Sequence, residues 1–317
     1  MKKVLIIIAA IVLTAGLVLF AVALFASGFD ITRFVSAKYE TNTYTVDEVF
    51  DKIEIFTKGT DIDFKLSNDG KFRVTCEERE KVKHSLTVEE GVLKITVCDE
   101  GEWTDYVSLF SRSLSMTVYL PSESYESLSV VNDTGDVSIS DSFSFGNVDL
   151  EVSTGKTVCN ATLDGSLKIK TSTGDVSIKA SNARNIEVSV STGNVTIENN
   201  VCTEKVSVVS GTGKTTIIDL SCRELFVKGS NGRRTLKNVI VENDMRIENG
   251  TGDVYLDACD GGNIFVKTST GDVKGTVLSE KIFVAHTSTG KVLVPDPTSG
   301  GKCEITTSTG NIEIRLS

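Results

Sequence analysis

The sequence predicts an all-β protein: a single-stranded β-solenoid, similar to a parallel β-helix, with about 19–20 residues per coil and one transmembrane helix before it. Three observations predict this fold. The chain has 26 Gly but only 3 Pro among many Thr, Ser, Val and Ile, a composition typical of strands joined by tight turns. A short Thr-Gly motif recurs at a nearly constant interval, and apolar residues alternate with polar ones around each copy.

The N-terminal segment 4–26 is an uncharged apolar stretch, long enough as a helix to cross a hydrocarbon core of about 30 Å. We interpret it as a signal anchor that follows a cytoplasmic tip, residues 1–3. Lys2 and Lys3 favour an N-in, C-out, single-pass topology in the cell membrane, with an extracytoplasmic ectodomain. The alternative is a signal peptide cleaved near Ala21-Val22-Ala23, although the apolar stretch exceeds the usual length of such segments.

The middle of the chain lacks the regular repeat. Residues 27–45 are predicted to be a linker or stalk, and residues 46–121 to be an N-terminal cap with irregular β coils, because strand-like alternation continues there without a fixed period. One aromatic cluster, Trp103, Tyr106 and Phe110, interrupts the alternation. It predicts a contact loop at a partner or membrane, or alternatively an insertion that covers the end of the core.

Residues 122–317 form the regular repeats. Turn glycines recur every 19 or 20 residues, at Gly135, Gly155, Gly174, Gly193, Gly213, Gly232, Gly252, Gly271, Gly290 and Gly310. Apolar residues lie two and four positions after most of these glycines and five and seven positions before them, as in Val176, Ile178, Leu167 and Ile169. Two short half-apolar strands per unit cannot bury a face alone, so the units are expected to stack on one another.

The residue after each glycine is predicted to face solvent, where opposite charges mostly alternate along the stack, as in Asp136, Lys156 and Asp175. Calcium sites between coils are not predicted, because only Asp253 and Asp272 are adjacent acids in this column. No metal, cofactor or catalytic residues are predicted. The P-loop-like stretch 210–215 lacks its first glycine, and His84 and His286 are expected to be surface strand residues.

Charge and cysteine content restrict the partners. Beyond the apolar segment the chain carries 31 basic against 43 acidic residues, which disfavours nucleic acid and anionic polymers. The seven cysteines contain no C-x-x-C pair, so zinc ribbons and thioredoxin-like motifs are excluded.

The motifs Thr-Ser-Thr-Gly-Asp-Val-Ser-Ile at 171–178 and Thr-Ser-Thr-Gly-Asn-Ile-Glu-Ile at 307–314 resemble the bacterial "putative adhesin" family of β-strand repeats, domain of unknown function 4097. The strands at 51–55 and 116–121 also resemble the opening strands of that family, so the resemblance covers residues 46–317. It implies a cell-envelope location and a role in adhesion or envelope stress, without catalytic residues to transfer.

Two classes of function are compatible with these features. The first is a membrane-anchored binding or structural module that contacts an envelope protein or a wall polymer, and it fits the missing catalytic cluster. The second is a carbohydrate-active β-helix enzyme acting on a surface polysaccharide, which needs acidic or basic groups that converge on one face. Because the chain stops three residues after Ile314, self-association through the C-terminal coil is also expected.

Overall fold

The computed structural model describes residues 2–26, 39–99 and 113–317. It contains one helix, α1 (Lys2–Ala26), and a stack of β-strands. In the described part of the chain, no helix is long and apolar enough to cross a membrane. The aromatic cluster Trp103, Tyr106 and Phe110 lies outside the described residues.

The strands run through the rest of the described chain in a single hydrogen-bonded system. In chain order they are β1 (Tyr39–Tyr44), β2 (Lys52–Thr57), β3 (Thr60–Leu66), β4 (Arg73–Arg79), β5 (Val82–Glu89), β6 (Val92–Asp99), β7 (Leu114–Leu120), β8 (Ser124–Thr134), β9 (Val137–Ile139), β10 (Ser144–Thr154), β11 (Thr157–Cys159), β12 (Thr162–Leu163), β13 (Ser166–Thr173), β14 (Val176–Lys179), β15 (Ala183–Thr192), β16 (Val195–Thr212), β17 (Thr215–Cys222), β18 (Glu224–Asn231), β19 (Arg234–Thr251), β20 (Val254–Thr270), β21 (Val273–Val277), β22 (Lys281–Thr289), β23 (Val292–Leu293), β24 (Gly301–Thr309) and β25 (Ile312–Leu316).

The regular part is the predicted β-solenoid of stacked coils. Strands that precede the turn glycines form one parallel sheet, for example β8, β10 and β13, and strands that follow them form a second, for example β9, β11 and β14. The register sets Val148 against Leu167 and Leu150 against Ile169, so alternate residues stay in the core on every coil. This arrangement buries a continuous apolar core that no single coil could form.

Each coil turns at its glycine. The ten turn glycines have φ between +127° and +151°, a region that side chains with a Cβ rarely adopt. At Gly174 a Cβ would also lie 1.9 Å from the carbonyl oxygen of Gly155 on the preceding coil. A second corner follows six residues later in five coils, where Ala180, Asn199, Asp219, Asn238 and Ala258 have φ between 51° and 55°.

At the N-terminal end, spatial order differs from chain order. Strand β2 lies between β6 and β8, and β3 lies between β7 and β9. The coil formed by residues 52–66 is therefore sandwiched between the coil of β6 and β7 and the coil of β8 and β9, both of which come later in the chain. Beyond this coil, β1, β4 and β5 pair antiparallel and close the end. Strand β1 lies in the segment 27–45 that was predicted to be a linker, because its side chains reach buried polar groups of β4.

The C-terminal end shows a second exchange, which corrects the expected position of the open end. Strand β24 lies between β20 and β22, and β25 lies between β21 and β23, so the outermost coil is β22–β23. Ile312 and Ile314 are 1% exposed, whereas Val292 is 43% exposed. The loop between β23 and β24 carries the chain back across the end, and β24 and β25 fill the better-packed position between two coils.

Candidate binding site in the N-terminal cap

A groove of about 710 Å³ opens on the side of the N-terminal cap. It lies between the segment 45–50 that follows β1, the turn 69–72 with the first residue of β4, and the loop that joins β7 to β8. These three segments lie almost entirely outside the strands, so their backbones can follow a concave surface that a regular ladder would flatten. The volume lies within the usual range of small-molecule pockets.

Aromatic rings form the floor of the groove. The rings of Phe50 and Phe72 meet edge to face with centroids 5.1 Å apart, and Phe50 stacks on Tyr125 at 5.9 Å. Tyr125 in turn stacks on Phe145, which lies on β10 in the next coil of the solenoid. Because these rings are packed against the solenoid core, the floor is a rigid part of the fold.

The rim carries both signs of charge. Asp47, Glu48 and Lys71 are exposed, and Arg73 pairs with Asp69 at 3.0 Å. The guanidinium of Arg73 also lies 4.3 Å above the ring of Tyr119. Hydrogen bonds from the Ser67 hydroxyl and the Lys71 backbone N–H hold the pKa of Asp69 below its ordinary value. Acidic groups therefore remain in excess beside an apolar floor.

A buried polar cluster lies on the same cap, further along β4. The carboxylate of Glu78 accepts hydrogen bonds from Asn42 and Tyr44 on one oxygen, both at 2.7 Å. Its other oxygen accepts from the backbone N–H of His84 at 2.6 Å and lies 2.7 Å from Nδ1 of the same residue. Nε2 of His84 lies 3.0 Å from the hydroxyl of Thr57, so β1, β2, β4 and β5 meet at this point.

Burial and hydrogen bonding act in opposite directions on the ionisable groups of this cluster. Burial alone would raise the pKa of Glu78, but hydrogen bonds from His84, Asn42 and Tyr44 outweigh it and lower the pKa. Burial and the neighbouring Glu78 carboxylate raise the pKa of Cys76 to about 12. Burial, followed by the hydrogen bond to Glu78, also raises the pKa of Tyr44. The cluster is thus a buried carboxylate with a lowered pKa, surrounded by hydrogen-bond donors.

The expectation that His84 is a surface residue is wrong, since it is 6% exposed and pairs with a fully buried glutamate. The missed signal is the alternation Val74, Cys76, Glu78, which places a carboxylate in the apolar register of β4. Both residues lie inside the cap, so the pair cannot contact a polysaccharide in this conformation. The other histidine, His286, is exposed on β22, as expected.

The column after the turn glycines does more than face solvent. The side-chain oxygen of Asp136 accepts from the backbone N–H of Lys156 at 2.7 Å, and Asp272 accepts in the same way from Asn311 at 2.7 Å. Each of these side chains accepts a hydrogen bond from the backbone of the neighbouring coil. The position directly after the turn glycine therefore also links adjacent coils. Chain order predicts Lys291 as the neighbour of Asp272 in this column. Because β25 lies beside β21, the neighbour is instead Asn311.

A model of the Toastrack DUF4097 family matches residues 50–189 and 181–317. No curated protein matches the chain. Among solved structures, a "putative adhesin" from Bacteroides fragilis is 15% identical, with a TM-score of 0.36. The match covers 88% of this chain and 98% of that chain. A "putative adhesin" from Parabacteroides distasonis is 13% identical, with a TM-score of 0.46 and the same two coverages. A "putative lipid binding protein" from Parabacteroides distasonis is 13% identical, with a TM-score of 0.45, 88% and 97% covered.

Proposed function

Because the chain belongs to the Toastrack DUF4097 family, we propose that it is a non-catalytic binding and structural module of the cell envelope. The uncharged apolar sequence of residues 4–26 supports the further proposal that the module is anchored in the membrane. The observation that carries the binding role is the groove of about 710 Å³ in the N-terminal cap. A groove with a packed apolar floor and a few charged groups at its rim is the usual form of a ligand site.

The chemistry of the groove favours a short segment of an envelope protein as its ligand. The aromatic floor accepts an apolar side chain, and Val49, which is 91% exposed, adds apolar surface at the rim. Asp47 and Glu48 outnumber Lys71, the one remaining cation among the described residues of the rim. They favour a basic residue beside that anchor, since Arg73 already pairs with Asp69. The acidic ectodomain disfavours teichoic-acid-like polymers in the same position.

The experiment measures binding of labelled synthetic peptides to the full-length chain in mild detergent. One peptide carries an aromatic residue between two lysines, the second carries the aromatic residue between two glutamates, and a teichoic acid fragment is the third probe. We expect binding of the first peptide only. The paired changes Asp47→Lys and Glu48→Lys should weaken it at least tenfold, because the attraction at the rim becomes repulsion.

Matched controls separate the groove from the general acidity of the surface. Glu187→Lys changes charge on an exposed strand position of a regular coil and should leave the affinity within about twofold. Val49→Glu should abolish binding, whereas Val201→Glu, at a position 53% exposed on β16, should not. Equal binding of the three probes, or equal loss in the groove and control variants, would contradict the proposal.

A further inference from the structure

Three different metal-binding side chains meet inside the cap. Ligand atoms of Cys76, Glu78 and His84 all lie within 4.8 Å of one another, and all three residues are buried. Cys76 and Glu78 point to the same side because they are two residues apart on β4. The tight connection between β4 and β5 then brings His84 against them, with Arg79 opposite Val82 at the start of the hairpin.

We propose that Cys76, Glu78 and His84 form a zinc site that goes beyond the binding function proposed above. A thiolate, a carboxylate and an imidazole nitrogen are the ligand types of protein-bound Zn²⁺. One thiolate and one carboxylate also balance the two positive charges of the ion, so the neutral complex is compatible with a buried position. Soft sulfur ligation favours zinc over magnesium and calcium, which prefer oxygen.

Neighbouring groups already hold the ligands in the orientation that a metal site needs. Asn42 and Tyr44 bind one oxygen of Glu78, which leaves the second oxygen toward Nδ1 of His84 at 2.7 Å. The opposite ring nitrogen of His84 faces the hydroxyl of Thr57 at 3.0 Å, the kind of partner that orients a ligating imidazole. Binding opens the Glu78–His84 contact by about 0.5 Å, since ligands of tetrahedral zinc lie further apart than a hydrogen bond.

Metal binding displaces the proton of the Cys76 thiol into solvent, because thiols coordinate zinc as thiolates. Nδ1 of His84, which donates to Glu78 in the metal-free cap, would lose its proton, and Nε2 would carry one and donate to the hydroxyl of Thr57. No oxidant or further reactant is needed. The bound ion would join β4 and β5 directly and, through Asn42 and Tyr44, would also hold β1. Because the three ligands are buried and connect the strands of the cap, we assign the site a structural role.

The test uses the full-length chain in detergent with Cys98→Ser, which removes the exposed cysteine on β6. The chain is loaded with Zn²⁺ or Co²⁺, passed through a desalting column, and assayed for metal content and for the thiolate-to-cobalt charge-transfer band. We expect about one ion per chain and a band typical of a single thiolate ligand. Zinc should also raise the melting temperature relative to the protein in EDTA.

Matched variants assign the ligands. Cys76→Ser should remove the charge-transfer band and His84→Gln should lower metal retention at least tenfold, whereas Cys303→Ser, at another buried cysteine, and His286→Gln should change neither. Absence of a thiolate–cobalt band in the Cys98→Ser chain overturns the proposal even where a ligand variant fails to fold. Persistence of the band in Cys76→Ser, or its loss in Cys303→Ser, overturns it as well.

Discussion

At the scale of single residues, the turn glycines are constrained twice, by backbone conformation and by the coil stacked beneath them. Gly174 has φ of +147° and would place a Cβ 1.9 Å from the Gly155 carbonyl oxygen. Gly59 is a useful contrast, since a Cβ added there would meet nothing within 4 Å. Glycine is therefore required by the stack in one turn and optional in the other.

We expect Gly174→Val to lower the free energy of unfolding by about 3 kcal/mol or more, because strain and a backbone clash add together. Gly59→Val should stay within about 0.5 kcal/mol of the wild type. Urea unfolding of the full-length chain in detergent, followed by circular dichroism, measures both. Equal effects of the two substitutions would show that the stacked turn does not select glycine.

We expect Glu78 to make the cap sensitive to acid. Because its folded pKa lies below the ordinary value of 4.5, ionised Glu78 stabilises the fold above that value, and the contribution is lost as the pH falls through the folded pKa. In EDTA, the wild type should therefore lose more stability than Glu78→Gln between neutral pH and the region below 4.5. At neutral pH the variant should be less stable by about 1–3 kcal/mol, since a charged hydrogen-bond acceptor is lost.

The control for this prediction is Glu187→Gln, at an exposed position on β15, which should follow the wild type at every pH. Thermal melts across the pH series provide the measurement. A Glu78→Gln chain whose stability falls as steeply with acid as that of the wild type would remove Glu78 from the explanation.

At the scale of elements, the outermost coil β22–β23 presents unusual surface. Strands β22 and β23 each have one neighbouring strand among the described residues, β24 and β25, so their other edges are unpaired there. Ile282 and Val284 point outward and are 48% and 51% exposed, and Leu293 is 60% exposed. Unpaired edges beside apolar side chains favour pairing with another chain.

We propose that a second copy of the chain pairs with this coil about a twofold axis, since the same two edges then satisfy each other. Sedimentation of the full-length chain in detergent should show a dimer whose fraction rises with concentration. Val284→Lys with Leu293→Lys should give a monomer, because each dimer would bring four added charges together. Val201→Lys with Val209→Lys, at exposed apolar positions on β16, should leave the dimer intact, and a concentration-independent monomer of the wild type would exclude self-association.

At the scale of the whole molecule, the N-terminal charges predict a topology in the cell. Residues 4–26 carry no charge and Lys2 and Lys3 precede them, so we expect the N-terminus inside and the solenoid outside. Protease added to intact protoplasts should cleave the chain after Phe29, while an epitope fused before Lys2 stays protected. Substituting glutamate for both lysines tests whether these charges set the topology, because the positive-inside signal is then removed. Protection of the solenoid would contradict the exported location.

The sequence by itself determined the β-solenoid, its period and the position of its turns. These features depend on short-range physics: a period of two along a strand, and a φ that glycine adopts most easily. The apolar residues before and after Gly174 were therefore assigned to the core from the pattern alone. The same pattern recurs in every coil, so it cannot state which coil lies beside which.

Only the tertiary structure decided the order of the coils at the two ends, since nearly equivalent ladders can stack in more than one order. It placed β24 between β20 and β22, and thereby moved the open end from Ile314 to Val292. It also decided the chemistry of the cap. The cluster around Glu78 contains residues of β1, β2, β4 and β5. Its partners Asn42 and His84 are not distinctive in the sequence, because only the antiparallel pairing of the strands brings them to one buried carboxylate.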